Sequence, residues 1–232
     1  MKRVILLFLS ILIISALVIP QDVGSMAGAQ TSGHFALRFS YENISRKYNY
    51  DTFREKVSRD IFKGTVSYSF SPWVNIYGFI GSSNFPHSLA DIRRQVCYGG
   101  GLKFMLLGGE VFVDGYTKRT VHIKAGIGLD LRVGHLHSSG DLIYETFDLT
   151  EYQGAIDLGI KVFMVTCYFG FKMSWANGDL FLANSTNVHL RGRGCFSMFV
   201  GWDFDLTNFL ALTSEFSFFT DKSWSLGLRM TI

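Results

Sequence analysis

The chain has 232 residues, enough for one domain of ordinary size. It contains 24 Gly but only 3 Pro, 16% of its residues are aromatic, and only 18% are charged, below the usual share of about a quarter. The formal net charge of +3 is too small to indicate a nucleic-acid partner, and the 3 cysteines form neither a disulfide framework nor a metal-binding pattern.

The N-terminus has the layout of a secretory signal peptide. Lys2 and Arg3 precede the apolar run 4–19, and the small residues Ala-Gly-Ala follow at a position suited to cleavage. The apolar run is shorter than the ~20 residues that span a bilayer, so cleavage is favoured over a retained anchor. Residues 1–29 are therefore predicted to be a signal peptide, and residues 30–232 the mature domain.

From residue 34 onward, apolar and polar residues alternate with period two, which is typical of strands with two different faces. In GTVSYSFSPWVNIYGF, for example, Val66 and Tyr68 alternate with serines until Pro72 interrupts the ladder, which predicts a tight hairpin. The pattern predicts about ten antiparallel strands, with eight as the alternative. The predicted spans are 34–43, 61–70, 74–83, 94–106, 120–135, 150–163, 165–176, 194–206, 209–219 and 223–232.

The connections between these strands are predicted to alternate in length. With the mature N-terminus in the periplasm, the outer connections are 44–60, 84–93, 136–149, 177–193 and 220–222. The inner connections are short, at 71–73, Met164 and Thr207–Asn208, except for a long one at 107–119 that leaves room for an unrecognised hairpin. Long outer loops and short periplasmic turns are typical of outer-membrane barrels.

The apolar face of the strands is large and continuous, whereas the polar face consists of Gly, Ser and single charges. In the fifth strand, Ile127, Leu129 and Leu131 alternate with Gly128 and Asp130. A water-facing exterior would be crowded with long charged side chains, and small polar residues suit a narrow lumen. The pattern therefore favours an all-β, transmembrane, up-and-down antiparallel β-barrel with its apolar face in lipid. A secreted, lipocalin-like binding barrel with the apolar face inside is an alternative.

Two sets of candidate residues follow from this facing. The charges predicted to line the lumen are Arg38, Lys103, Lys124, Asp130, Arg132, Asp157, Lys161, Lys172, Asp203, Asp205, Glu215 and Arg229. The aromatic residues predicted to form an interfacial girdle are Tyr41, Tyr98, Tyr152, Trp175 and Trp224. Because side chains fill barrels of about eight strands and open pores need roughly 16, we expect a structural barrel with a salt-bridged, largely filled lumen, or a narrow passive channel.

The chain resembles the bacterial outer-membrane β-barrel domain family, which includes small OmpA-like and OmpX-like barrels. The signal peptide, the hairpin YSFSPWVNIYGF, the strand YGGGLKF and the amphipathic C-terminal WSLGLRMTI carry the resemblance, which covers residues 34–232. Family barrels usually end in an aromatic residue that the insertion machinery reads, whereas this chain ends in Ile232.

The resemblance implies a porin-like, monomeric membrane protein in the outer membrane of a Gram-negative-type bacterium. The partners it implies are outer-membrane lipids, lipopolysaccharide and, through the C-terminal strand, the insertion machinery. It implies no nucleic-acid partner and no shared enzymatic activity. We also expect no cofactor and no metal, because His34, His87 and His189 are scattered along the chain.

One segment suggests an alternative function. In GHLHSSGD, His137 and Ser139 share the outward face of the fifth strand, and a serine beside a histidine can attack an ester. Glu145 or Asp141 would orient the histidine. The segment distantly resembles lipid A deacylases of the outer membrane, which implies a lipid-modifying hydrolase. A single His-x-Ser pair is a weak signal, so no catalytic residue is predicted.

Overall fold

The structure of the protein is a computed structural model. It describes residues 33–50, 54–84, 95–114, 120–139, 146–181 and 187–232. The signal peptide predicted for residues 1–29 lies outside these ranges. Within them, no helix is long and apolar enough to cross a membrane.

The described residues form ten β-strands. They are β1 (Phe35–Tyr50), β2 (Arg54–Ser71), β3 (Val74–Asn84), β4 (Gln95–Asp114), β5 (Thr120–Ser139), β6 (Thr146–Val162), β7 (Val165–Phe181), β8 (Asn187–Asp205), β9 (Leu210–Phe219) and β10 (Lys222–Thr231). Each strand pairs with its neighbours in sequence, and β10 pairs antiparallel with β1, so the sheet closes. The predicted up-and-down barrel is confirmed, with ten strands rather than the alternative of eight.

Several strands run well past their predicted outer ends. β1 and β2 occupy most of 44–60 and pair as far as Asn49 and Arg54. The strands that enclose 136–149 and 177–193 are likewise paired beyond the predicted limits. The prediction of long outer loops at these three places was wrong. The strands continue there, but their apolar residues lie on the inward face and their polar residues on the outward face.

The long inner connection predicted at 107–119 is also mostly strand. β4 continues to Asp114 and β5 begins at Thr120, and these two residues are paired across the hairpin. The register of β4 against β5 shifts between Met105 and Leu107, which marks a β-bulge. A bulge bends its strand and increases the local twist.

Through the middle of the barrel, apolar side chains point outward and polar side chains inward. Leu228 pairs with Phe39 on one side and Leu212 on the other, and 60% of Phe39 is exposed. Asp203 and Thr213, on the opposite face, are buried. Contact of this belt with water would cost about 25 cal/mol per Å² of apolar surface, so lipid is the surrounding that suits it. The facing is the reverse of what a lipocalin-like barrel requires.

Beyond the belt, toward the outer end, the two faces exchange character. Most inward side chains there are apolar, with Ile44 and Leu149 fully buried, whereas Lys56 and His137 are exposed on the outside. The interior cluster consists of Ile44, Tyr48, Val57, Ile61, Cys97, Leu136, Phe147, Leu149, Ala176 and Leu190. An apolar inside with a polar outside is the arrangement of a barrel in water, so this part of the wall projects past the lipid.

The barrel narrows at the same level. β9 ends at Phe219 and β10 begins at Lys222, so their hairpin stops short of the outer end. Above it, β1 pairs with β8 instead, through Asn49 with Arg191 and Tyr50 with Leu190. Among the described residues, the upper wall therefore consists of β1 to β8, without β9 or β10. Because side chains just fill a barrel of about eight strands, the apolar cluster can close this section without a channel.

Replacing Leu228 with Arg tests the facing of the central belt. We expect a loss of about 2–4 kcal/mol in folding free energy, because the charge faces hydrocarbon near the middle of the span. The measurement is urea titration in lipid vesicles, with heat-modifiable gel mobility as the readout of folding. Asn84→Arg is the matched control, since Asn84 is exposed on the outward face at the outer end of β3. Equal stability of the two variants would show that the assigned facing is incorrect.

Candidate functional site

The interior of the barrel is the candidate functional site, and its inner section is crossed by ion pairs. Arg229 Nη1 donates to Asp203 Oδ2 at 2.7 Å, and its Nη2 lies 3.6 Å from Asp205 Oδ1. Lys161 Nζ donates to the other oxygen of Asp205 at 2.6 Å. Four of the charges predicted for the lumen thus meet in one network that joins β6, β8 and β10.

A second group lies between β3, β4 and β5. Tyr77 Oη donates to Asp130 Oδ1 at 2.8 Å, and Lys103 Nζ lies 3.7 Å from the other carboxylate oxygen. The guanidinium of Arg132 stacks over the Phe79 ring at 4.6 Å from its centroid. Lys103 Nζ likewise lies over the Tyr77 ring, 5.5 Å from its centroid. Both cations of the group therefore contact the face of an aromatic ring.

The remaining predicted lumen residues lie on the same inward rows. Glu215 is fully buried and accepts a hydrogen bond of 3.4 Å from Tyr168 Oη. Lys172 and Asp157 are also buried. Interaction partners are present for Arg38, Lys124, Asp157 and Lys172. Buried charges are tolerated only when they are paired or hydrogen-bonded, so these contacts hold the interior together.

One buried polar cluster was not predicted from the sequence. Arg46 donates through Nε and Nη2 to the two oxygens of Asp221 at 3.0 and 2.6 Å, and through Nη1 to Glu151 Oε1 at 3.1 Å. Ser174 Oγ accepts a further bond from Arg46 at 2.8 Å. Arg59 pairs with the other oxygen of Glu151. We call these five residues the Arg46 network.

The Arg46 network lies where the barrel narrows. Asp221 belongs to the β9–β10 turn and is fully buried beneath the section in which β1 pairs with β8. Burial raises the pKa of the Asp221 carboxyl, but the Arg46 guanidinium outweighs this effect, so the pKa lies below its ordinary value. The turn carboxylate is therefore held in its ionised form against the first strand.

Three buried charges outside the predicted set, one of them in the Arg46 network, had a signal in the sequence. Glu42 and Lys63 pair with each other inside the barrel. Both share the strand face of predicted lumen or polar residues, Glu42 with Arg38 and Lys63 with Thr65. Glu151 likewise shares the face of Gln153. Arg46 and Arg59 carry no such signal, because the sequence predicts a loop over 44–60.

The aromatic residues predicted for the girdle lie on the outer surface of the barrel. The Tyr41 and Trp224 rings are 5.0 Å apart between centroids, and Tyr41 Oη donates to Asp60 at 2.6 Å. Tyr152 and Trp175 are paired across β6 and β7 and are 45% and 43% exposed. Tyr98 packs its ring 5.2 Å from His135. These rings lie between the apolar belt and the part of the wall beyond it, with a polar outer surface, which we call the outer extension.

The weak catalytic candidates lie only partly within the described residues. His137 is exposed on the outward face of β5, and its Nδ1 is 2.6 Å from Asp148 Oδ1. Asp148 lies on β6, outside the segment GHLHSSGD, and is not among the predicted site residues. Glu145 and the side chain of Ser139 lie outside the part of the chain that the structure describes.

The closed sheet, the apolar belt, the polar interior and the aromatic rim together define a β-barrel of the outer-membrane type. Only a closed barrel or a helix satisfies all backbone polar groups in hydrocarbon, and here the sheet is closed.

No family model and no curated protein matches the chain. Among solved structures it is similar to an outer membrane channel from Pseudomonas putida F1, at 9% identity and a TM-score of 0.44, over 91% of this chain and 99% of that one. It is also similar to the translocator domain of the autotransporter NalP from Neisseria meningitidis, at 9% identity, a TM-score of 0.40, and 87% and 89% coverage. OprG from Pseudomonas aeruginosa shows 12% identity, a TM-score of 0.37, and 88% and 98% coverage. These likenesses assign no role to the chain.

Replacing Arg46 with Ala tests the Arg46 network. We expect a loss of about 3–5 kcal/mol in the free energy of unfolding, because Asp221 then stays buried without its main cation and Glu151 keeps only Arg59 as an ion-pair partner. Lys161→Ala is the control, since Lys161 and Asp205 are 27% and 24% exposed and such pairs contribute at most ~1 kcal/mol. Urea unfolding in detergent micelles measures both. Equal losses would mean that the network does not hold the closed end together.

Proposed function

We propose that the protein is a structural barrel of the outer membrane of a Gram-negative-type bacterium, closed to solutes, which carries a strand-built extension outside the cell. The apolar cluster that fills the narrow outer section is the observation that supports this proposal. Its residues Ile44, Phe147, Leu149 and Leu190 are at most 1% exposed. Ions would have to cross buried apolar side chains at a high free-energy cost, and the buried charges among them, Arg46, Arg59 and Glu151, are already ion-paired.

The charged interior fits the same proposal. The inner section holds ion pairs that cross between strands, such as Arg229 with Asp203 and Lys161 with Asp205. A permeation pathway leaves charges facing open water, whereas these side chains face one another. We infer that they pack and brace the lumen. The competing hypothesis of a narrow passive channel requires an opening through the apolar cluster.

The proposed partners follow from the outer surface. The central belt contacts outer-membrane lipid, and the aromatic rim lies at the level of the lipopolysaccharide headgroups. β10, with Trp224, Leu226 and Leu228 facing outward, is the strand that the insertion machinery would read. The signal peptide at residues 1–29 delivers the chain to the periplasm, and the closed barrel acts as a monomer.

Conductance across planar lipid bilayers tests whether the barrel is closed. We expect no stable conductance steps from the wild-type protein, because the outer section is filled by apolar side chains. The double variant Phe147→Ser and Leu190→Ser should show frequent openings, since it removes large buried groups from that section. Its control is Phe171→Ser with Leu212→Ser, the same residue types on the lipid face.

Steady conductance by the wild-type protein would contradict closure and support the narrow-channel hypothesis. Conductance by both double variants alike would show that general loosening of the barrel, and not the apolar cluster, controls leakage.

The hydrolase alternative has its own test. We expect lipid A from cells that express the wild-type protein to keep all of its acyl chains. His137→Ala and Ser139→Ala should leave the lipid unchanged as well, and mass spectrometry of extracted lipid A measures both. An acyl chain lost with the wild type and retained with Ser139→Ala, in a barrel that still folds, would establish the hydrolase. Both partners are needed because nucleophile and base act as a unit.

A further inference from the structure

A band of polar side chains crosses four adjacent strands on the outer surface of the extension. His137 on β5 is paired with Asp148 on β6, Asp148 with Asp179 on β7, and Asp179 with His189 on β8. These side chains face outward, above the aromatic rim. Across the four strands the order of the side chains is His, Asp, Asp and His, although these residues are far apart in sequence.

Three groups converge at one end of this band. His137 Nδ1 lies 2.6 Å from Asp148 Oδ1, and His135 Nε2 lies 3.5 Å from the same oxygen. The ligand atoms of the three residues all lie within 4.8 Å of one another. Two imidazoles directed at one carboxylate oxygen place three possible metal ligands around one point on the outer surface.

The orientation of His135 gives a second, independent observation. Its Nδ1 lies 3.1 Å from Thr150 Oγ1, and its ring packs 5.2 Å from the Tyr98 ring. In the Nδ1–H tautomer of His135, the Thr150 hydroxyl accepts from Nδ1 and the lone pair lies on Nε2, which is the nitrogen directed at Asp148. Histidine ligands of metals are commonly held by such a hydrogen bond on the opposite nitrogen.

We propose that His135, His137 and Asp148 form a binding site for a divalent transition-metal ion of the Zn²⁺ class on the outer face of the barrel. Two imidazoles and one carboxylate suit Zn²⁺, Ni²⁺ or Cu²⁺, whereas Ca²⁺ and Mg²⁺ prefer oxygen ligands throughout. Small side-chain rotations bring the three ligand atoms to the ~2.0–2.2 Å that Zn²⁺ requires, and the ion replaces the proton shared by His137 and Asp148.

The site is accessible and incompletely enclosed. The side chains of His135, His137 and Asp148 are 31%, 51% and 41% exposed. Three protein ligands leave a fourth position for water or for an external ligand. Because the residues lie on paired strands, the register of β5 and β6 presets their spacing. This inference is independent of whether the barrel is closed.

Titration with ZnCl₂ tests the site. The full-length mature barrel is purified without a histidine tag, in detergent micelles, and binding is measured by isothermal titration calorimetry. We expect one Zn²⁺ per chain, with no competition from CaCl₂. His137→Gln and Asp148→Asn should each weaken binding at least about tenfold, and Thr150→Val should weaken it by about 10–100-fold, as expected for a residue that orients a ligand.

The control is His189→Gln, because His189 belongs to the same polar band and pairs with Asp179 but not with the three proposed ligands. It should bind Zn²⁺ as the wild type does. Heat-modifiable mobility verifies that each variant is folded. If a ligand variant does not fold, protection of the wild type from diethyl pyrocarbonate replaces it, and Zn²⁺ should shield His135 and His137 while His189 still reacts.

Two results would overturn the proposal. One is the absence of Zn²⁺ binding, or of histidine protection, in the folded wild-type barrel. The other is an equal loss of affinity in His189→Gln and His137→Gln, which would place the ion elsewhere on the band.

Discussion

The structure depends on one constraint: where water is absent, every backbone polar group needs a partner within the chain. The sheet meets this demand by closing, through a ladder between β1 and β10 that runs from Ala36 with Thr231 to Ser45 with Lys222. Closure leaves each side chain with only two surroundings, the lipid outside and the lumen inside. The period-two alternation of the sequence is the direct consequence, and so is the confinement of charge to the interior of the lipid-embedded section.

One strand shows how the surroundings change along the barrel. In β1, Phe39 faces lipid and Ser40 faces the lumen, whereas further along Lys47 faces water and Tyr48 is buried inside. The wall is continuous, but the polarity of each face changes along it to match the medium that the face contacts. On the inward face of β1, Arg46 falls between Ile44 and Tyr48, so the Arg46 network is embedded among the apolar side chains of the outer section. Its charges are paired with one another there.

The number and facing of the strands in the belt could be predicted because local alternation determines both. The outer extension could not, since its apolar residues change to the opposite parity near Ile44 and the pattern there looks like a loop. The inward positions of Glu42 and Glu151 could be predicted from the period-two alternation of their strands. The meeting of Arg46 with Asp221 could not, because it depends on the pairing of β1 with β8, which no local pattern encodes. The same holds for His135, His137 and Asp148, which are brought together by strands extended into a predicted loop.

The seam of the barrel also has a consequence for how the chain tolerates insertions. On one edge, β1 pairs with β10 as far as Ser45 and with β8 from Asn49 onward. Residues 46–48 lie between the two ladders, and Arg46 connects across this interval to the carboxylate of Asp221. The conformation of the turn between β9 and β10 is therefore fixed by the buried contacts of Asp221, although in sequence the turn resembles an ordinary surface loop. Added residues there would displace Asp221 and press against the paired ends of β1 and β8, so this turn is a poor place to graft a peptide epitope.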